Sequence, residues 1–216
     1  MSTISVGHSP DADDIFMYYA IKFGWVSLPK VKFENIALDI ETLNQATLKG
    51  VYDICAISFA LYPFVKDDFA LLKTAVSFGE GYGPKLIKKK GAKLKKNFKV
   101  ALSGEFTTNA LLFKIAYPDA RISYMNFLDI ENAVINGDVD AGVLIHESIL
   151  TYSSLLEVER EIWDIWVELC NGEELPLPLG GMCLRRSITL TEAIKYENVL
   201  IKAVDVANKN RKTLAN

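Results

Sequence analysis

The sequence predicts an α/β protein built from two lobes. Short, nearly continuous apolar runs alternate with helix-like stretches along most of the 216 residues, which is typical of largely parallel sheets covered by helices. A first cycle of such elements is interrupted by a second cycle and then resumes with a return segment and a long helix. We therefore expect residues 1–84 and 184–216 to form a discontinuous first lobe, and residues 85–183 an inserted second lobe, around a cleft.

The first lobe begins with a strand that ends beside a histidine. Its strands are expected at residues 3–7, 31–40, 52–59 and 69–78, with a short helix near 61–66. Ser9 is expected to cap the first helix, with Pro10 in its first position and carboxylates following at the positive end of the helix dipole. Thr42 is expected to begin a short second helix, and residues 189–208 a long final one.

The second lobe repeats the alternation of strand and helix. Its strands are expected at residues 85–90, 98–102, 121–126 and 140–145, and its helices at residues 109–117 and 129–136; residues 161–170 are expected to close the lobe. The segment 175–182, rich in proline and glycine, is expected to return the chain to the first lobe.

Composition and charge favour a protein that acts on small molecules. The formal net charge is −3 and the isoelectric point is near 5.5, which argues against nucleic acid as a partner. A run of lysines at residues 85–99 is interpreted as a solvated face. Cys55, Cys170 and Cys183 fit neither a disulfide framework nor a zinc knuckle. Neither a secretory signal nor a membrane span is recognised, so we expect the cytoplasm and no membrane partner; the oligomeric state stays open.

Both histidines of the chain stand where an apolar run gives way to polar residues. His8 follows the first strand, and His146 follows the strand at residues 140–145. Open α/β sheets bind ligands beyond the carboxyl ends of their strands, and histidine is the usual general base near neutral pH. His146 is the stronger candidate for a base. The alternative, a histidine that caps a strand and bonds to the backbone, stays open at this point.

A second candidate is the turn at residues 103–108, which joins a strand to a helix. The hydroxyl groups of Thr107 and Thr108, together with the first backbone N–H groups of the helix, would suit a carboxylate or phosphate. The alternative is a plain helix cap.

Other chemistries find little support in the sequence. No Walker loop, dinucleotide-binding glycine motif or nucleophile elbow is present, and no organic cofactor is expected. His8 with Asp11, Asp13 and Asp14 resembles a metal-ligand set, but the helix dipole already explains the carboxylates. We therefore expect no metal.

Several segments, in order over nearly the whole chain, carry a family resemblance. They are HSPDADDIFMYYA at 8–20, AIS at 56–58, YGP at 82–84, TT at 107–108, DAGVLIHE at 140–147 and LPLPLGG at 175–181. Together these segments resemble the 1,4-dihydroxy-6-naphthoate synthases of the futalosine route to menaquinone.

The resemblance implies a fold like that of the type 2 periplasmic binding proteins, with an active site in the cleft between the lobes. It implies a lyase that converts cyclic dehypoxanthinyl futalosine, a substrate carrying a carboxylate, to 1,4-dihydroxy-6-naphthoate and a three-carbon fragment, without a cofactor. The catalytic histidine of the family falls on His146. The binding positions of the family fall on Cys55, Ala56, Ile57, Ser58, Thr107, Thr108, Asn44 and Asp14.

The chain departs from the family at two points. Some members carry a lysine where this chain has Ala56, and members usually extend several dozen residues past the long final helix. Two other functions remain alternatives: a solute-binding protein for a small carboxylate, and chorismate dehydratase, an enzyme of the same pathway and fold. Tight binding without turnover, or turnover of chorismate, would distinguish them.

Overall fold

The computed structural model describes residues 2–214, except for the side chains of Ala12 and Asp13. The chain divides into two compact units, each with its own sheet: unit 1 contains the chain up to Ser77 and from Gly180 onward, and unit 2 contains Phe78–Leu179. The sequence pattern predicts the corresponding divisions after residues 84 and 183.

Unit 1 contains a mixed five-stranded sheet. Its strands are β1 (Ser2–His8), β2 (Val31–Ala37), β3 (Ile54–Ser58), β4 (Phe69–Gly79) and, later in the chain, β10 (Leu177–Arg185). The strand order is β2-β1-β3-β10-β4, with β1 parallel to both β2 and β3 and with β10 antiparallel to β3. The carboxyl ends of β1 and β3 therefore lie at the same edge of the sheet.

Helices of unit 1 pack against this sheet and against each other. They are α1 (Ala12–Lys22), α2 (Ile40–Leu48), α3 (Tyr62–Val65), α7 (Leu190–Lys209) and α8 (Arg211–Leu214). Two expected helix starts were wrong. Helix α1 begins after Asp11 rather than after Ser9, and α2 begins after Asp39, whose carboxylate accepts the backbone N–H of Thr42.

Unit 2 contains a second five-stranded sheet. Its strands are β5 (Lys85–Lys89), β6 (Lys99–Leu102), β7 (Arg121–Tyr124), β8 (Ala141–Leu144) and β9 (Leu156–Glu161), in the order β7-β6-β8-β5-β9. Strand β6 is parallel to β7 and β8, whereas β5 is antiparallel to β8 and β9. Strand β9 is not among the strands that the sequence pattern predicts.

Helices cover both faces of the second sheet. They are α4 (Thr108–Ala116), α5 (Ile130–Asn136) and α6 (Ile162–Leu169). Apolar residues of α4 and α6 pack with Val100 and Val143, and those of α5 pack with Ala101 and Leu144, because successive residues of a strand point to opposite faces. Gly142 lies on the α5 face, where a Cβ atom would overlap the side chain of Ile130. Helix α5 therefore packs directly on the strand that leads to His146.

No helix in the part of the chain that the structure describes is long and apolar enough to cross a membrane.

Candidate functional site

His146 lies just beyond the carboxyl end of β8. The chain passes from Leu144 through Ile145 into a 3-10 helix, His146–Ile149, and His146 adopts a left-handed backbone conformation with φ of 54°. This conformation is uncommon outside glycine and is concentrated at functional sites. The hydroxyl group of Ser148 donates to the carbonyl oxygen of Ile145 and closes the turn.

The imidazole of His146 is held against an aromatic ring and remains partly accessible. Its ring packs edge-on against Phe127, with centroids 5.1 Å apart, and the residue is only half-buried. The turn and this contact fix where the imidazole stands at the edge of the second sheet. A half-buried imidazole at a strand end has the position expected of a general base.

Thr107 and Thr108 lie at the start of α4, after the neighbouring strand β6. Thr107 is the N-cap: its Oγ1 accepts the backbone N–H of Ala110 at 3.3 Å and donates to the carbonyl oxygen of Gly104 at 2.9 Å. The hydroxyl group of Thr108 donates to the carbonyl oxygen of Leu179 at 2.8 Å. Each hydroxyl group has only one proton, and that proton is used in the bond to a carbonyl oxygen. An anion at this helix start would therefore be held mainly by backbone N–H groups.

The fold of unit 2 brings His146 and the two threonines to the same edge of one sheet. Strands β6 and β8 are adjacent and parallel, and the first is followed by the turn that carries Thr107 while the second is followed by His146. Ligands bind at such carboxyl edges in open α/β sheets. The candidate base and the candidate anion-binding helix start therefore lie at the same edge of the sheet in unit 2.

Asn109 is a buried polar residue at this helix start that the sequence did not mark as a site residue. It is 6% exposed, its Nδ2 donates to Ser103 Oγ at 3.5 Å, and its Oδ1 has no hydrogen-bond partner among the described residues. The sequence signal that points to it is an amide in the first turn of a largely apolar helix.

In unit 1, Asn44 fixes the carboxyl end of β3. Its side chain is fully buried; its Oδ1 accepts the backbone N–H of Ser58 at 2.9 Å, and its Nδ2 donates to Ser58 Oγ at 3.1 Å. The Ser58 hydroxyl group accepts in the second bond and so keeps its own proton for another acceptor. Asn44 thereby orients Ser58 at the edge of the sheet.

The rest of the predicted binding segment lies inside β3. Cys55 and Ile57 are fully buried, and Ala56 is 7% exposed. Burial raises the pKa of the Cys55 thiol to about 12, so this residue stays protonated and cannot act as a thiolate nucleophile near neutral pH.

Asp14 organises the turn between β1 and α1. Its carboxylate accepts the backbone N–H of Ser9 at 2.8 Å, while the Ser9 hydroxyl group donates to Asp11 at 2.6 Å. The expected cap at Ser9 is thus replaced by a turn in which Ser9 donates to two carboxylates. The Ser9 hydroxyl group bonds to Asp11, which precedes α1, and not to the backbone N–H groups of the first helical turn.

His8 is the last residue of β1 and lies in the same turn. Its Nδ1 is 2.7 Å from the carbonyl oxygen of Ser9, and its ring stacks on Tyr18 of α1 with centroids 4.2 Å apart. Burial lowers the pKa of His8 below its usual 6.5, and the bond to Ser9 offsets part of this effect. The imidazole therefore stays neutral at neutral pH.

We expect His8 to make the folded protein less stable in mild acid. Its pKa is lower in the folded chain, so as the pH falls through about 6.5 the unfolded chain binds the proton more fully than the folded chain does, and stability falls. Tyr18 and Cys55, whose pKa values are raised, remain uncharged throughout this range. Urea unfolding at about pH 7.5 and about pH 5.5 should show a smaller loss of stability for His8→Asn than for the parent chain. Equal losses would contradict this expectation.

The side chain of Asp13, considered as a metal ligand, lies outside the described residues. Among the side chains that are described, no group of three or more His, Cys, Asp or Glu residues is arranged to hold a metal ion.

The chain has the α/β fold of the type 2 periplasmic binding proteins. The Escherichia coli aliphatic sulphonate binding protein matches the chain with a TM-score of 0.68 at 13% identity, over 99% of this chain and 76% of that one. A protein of Archaeoglobus fulgidus of known crystal structure matches with a TM-score of 0.89 at 35% identity, over 97% of this chain and 78% of that one. These likenesses confirm the predicted fold class.

The chain belongs to the menaquinone biosynthesis family, whose model matches residues 4–216. It is 32% identical over 191 residues to a 1,4-dihydroxy-6-naphthoate synthase of Thermus thermophilus, covering 87% of this chain and 68% of the relative. A synthase of the same name from Streptomyces coelicolor is 33% identical over 193 residues, covering 86% and 67%. These relatives confirm the predicted family and support a lyase function in menaquinone biosynthesis.

Proposed function

We propose that this chain converts cyclic dehypoxanthinyl futalosine to 1,4-dihydroxy-6-naphthoate and releases a three-carbon fragment. The observation that carries the proposal is that His146 and the start of α4 lie at the same edge of the sheet in unit 2. A base and an anion-binding helix start are what proton abstraction from a substrate with a carboxylate requires.

In the proposed reaction His146, in its neutral form, takes a proton from the cyclic substrate. The electron pair left behind expels the side fragment, and formation of the aromatic naphthoate supplies part of the driving force. The carboxylate of the substrate is held by the backbone N–H groups at the start of α4. Thr107 and Thr108 hold this helix start in place through their bonds to carbonyl oxygens.

Unit 1 is proposed to supply further contacts to the substrate. Ser58 retains a proton to donate, and Asn44 fixes its position. The side chains of Cys55 and Ile57 are fully buried. Within residues 55–58, the proposed contacts with the substrate are therefore made by Ser58, Ala56 and the backbone. Asp14 contributes through the turn that it holds at Ser9. The proposed partner is a small carboxylate-bearing molecule in the cytoplasm, with neither nucleic acid nor a membrane involved.

The test is to incubate the purified full chain with cyclic dehypoxanthinyl futalosine and to follow product by liquid chromatography and mass spectrometry. We expect stoichiometric 1,4-dihydroxy-6-naphthoate. Parallel incubations with chorismate, and calorimetric titrations with small carboxylates, provide the controls. Turnover of chorismate alone would make the protein a dehydratase, and binding without any product would make it a solute-binding protein; either result overturns the proposal.

A further inference from the structure

His8 is a buried polar group that the proposed mechanism does not use. It ends β1, beside β3, and Gly7 just before it pairs with Cys55. Since β1 and β3 are parallel, His8 lies at the edge of the sheet where Ser58 and Asn44 lie. Ligands bind at this kind of edge, so the position of the imidazole makes it a candidate for a contact with a ligand.

The contacts of His8 determine which ring nitrogen carries the proton. The carbonyl oxygen of Ser9 can only accept a hydrogen bond, so Nδ1, 2.7 Å away, must be the donor. In a neutral imidazole the other nitrogen, Nε2, then presents a lone pair. Nε2 has no hydrogen-bond partner among the described residues.

The ring of His8 is also held in one orientation. Tyr18 stacks on one face of the imidazole at 20° between the ring planes, and the Tyr18 hydroxyl group is in turn 3.9 Å from the sulfur of Met182. Because the ring is fixed at both its face and Nδ1, the orientation of Nε2 is set before a ligand binds. Binding to Nε2 therefore costs no further side-chain entropy. Burial keeps the imidazole uncharged, so Nε2 remains an acceptor at neutral pH.

We propose that His8 contacts the substrate and that its Nε2 accepts a hydrogen bond from a substrate hydroxyl group. At the same edge of the sheet, the Ser58 hydroxyl group keeps a proton to donate. An acceptor and a donor on one edge complement a hydroxyl group, which can both give and receive a hydrogen bond. This inference rests on the proposed function and adds a hydroxyl-recognition element to it.

Two matched variants separate the ligand role from a structural role. His8→Asn places an amide N–H near the position of Nδ1, so it keeps the bond to Ser9 and deletes Nε2. His8→Gln places an amide oxygen near the position of Nε2 and gives up the bond to Ser9. We expect His8→Asn to raise KM about tenfold with a modest change in kcat, and His8→Gln to recover part of this loss.

The opposite pattern would overturn the inference. If His8→Asn matches the parent chain in KM and kcat while His8→Gln is impaired, His8 serves only the turn at Ser9. Absence of product with the parent chain is a separate result, because it refutes the proposed function before any variant is compared. Thermal unfolding of both variants shows whether a kinetic change follows from loss of fold.

A spectroscopic measurement tests the same bond without altering His8. The chain has two histidines, so His146→Ala contains His8 as its single histidine and cannot carry out the proposed proton abstraction. With ¹⁵N-labelled histidine, we expect substrate to shift the Nε2 resonance upfield and to leave Nδ1 nearly unchanged. Saturating substrate that leaves Nε2 unchanged would refute the contact, and if this variant fails to bind, the KM comparison alone decides.

Discussion

Replacing His146 with asparagine is expected to lower kcat by about 10²- to 10⁴-fold, the usual contribution of a positioned general base. Asparagine is the most informative replacement because His146 has φ of 54°, and asparagine tolerates the left-handed conformation better than most residues. It removes the base and preserves the turn after β8. Alanine in the same place removes the base and also adds backbone strain.

The control for this prediction is Glu147→Ala, which changes an exposed neighbour in the same 3-10 helix. Its kcat should stay close to that of the parent chain. Single-turnover rates and thermal unfolding should be measured for both variants, so that loss of chemistry is separated from loss of fold. If His146→Asn keeps more than about a tenth of kcat, another group is the base.

The two strand-end histidines could be located from the sequence because an apolar run that stops abruptly also marks where a buried strand stops. His8 ends β1 and His146 follows β8 by two residues, as the runs at residues 3–7 and 140–145 predicted. The sequence carries no comparable signal for the partner of each imidazole. Turn geometry and packing determine which residues contact the two imidazoles: Ser9 and Tyr18 for His8, and Phe127 for His146. The different surroundings of the two histidines are therefore visible only in the structure.

Strand β9 shows why one element of the second sheet was missed. Its sequence, LEVERE, contains only two apolar residues, Leu156 and Val158, so the strand signal is weak, and its partner β5 belongs to the lysine run. In the structure Lys88 pairs with Glu159 at 2.5 Å and with Glu157 at 3.5 Å, and Lys85 lies 3.8 Å from Glu161. Cross-strand ion pairs of this kind depend on register, which the separate segments do not reveal.

The hydroxyl groups at the start of α4 show a similar limit. The sequence predicts two threonine hydroxyl groups near the start of α4. It does not predict which acceptor each hydroxyl group bonds to. The carbonyl oxygens of Gly104 and Leu179 receive the protons of Thr107 and Thr108. The two interpretations left open by the sequence, a helix cap and an anion site, are therefore compatible. Thr107 caps α4, and the backbone N–H groups that it orders are proposed to donate hydrogen bonds to the anion.

The second large effect is expected from Phe113→Ala, on the buried side of α4. Phe113 is fully buried, stacks on Tyr117 at 5.0 Å and meets Phe98 edge-on at 6.0 Å. Removal of such a ring from a packed core typically costs about 3–5 kcal/mol, a large part of the about 5–15 kcal/mol that stabilises a domain. Leu111→Ala on the same helix, where the side chain is 45% exposed, should cost only about 0.5 kcal/mol.

Tryptophan fluorescence can assign this loss to unit 2. Trp163 and Trp166 lie on α6, which packs with α4 in the same apolar cluster, whereas Trp25 belongs to unit 1. In a Trp25→Phe background, urea unfolding should therefore move to lower urea for Phe113→Ala and stay nearly unchanged for Leu111→Ala. A loss below about 1 kcal/mol for Phe113→Ala would contradict the packing of α4 on the sheet. Because α4 begins at the proposed anion site, Phe113→Ala should also raise KM well before unit 2 unfolds completely, since a loosened helix no longer holds its first N–H groups in place.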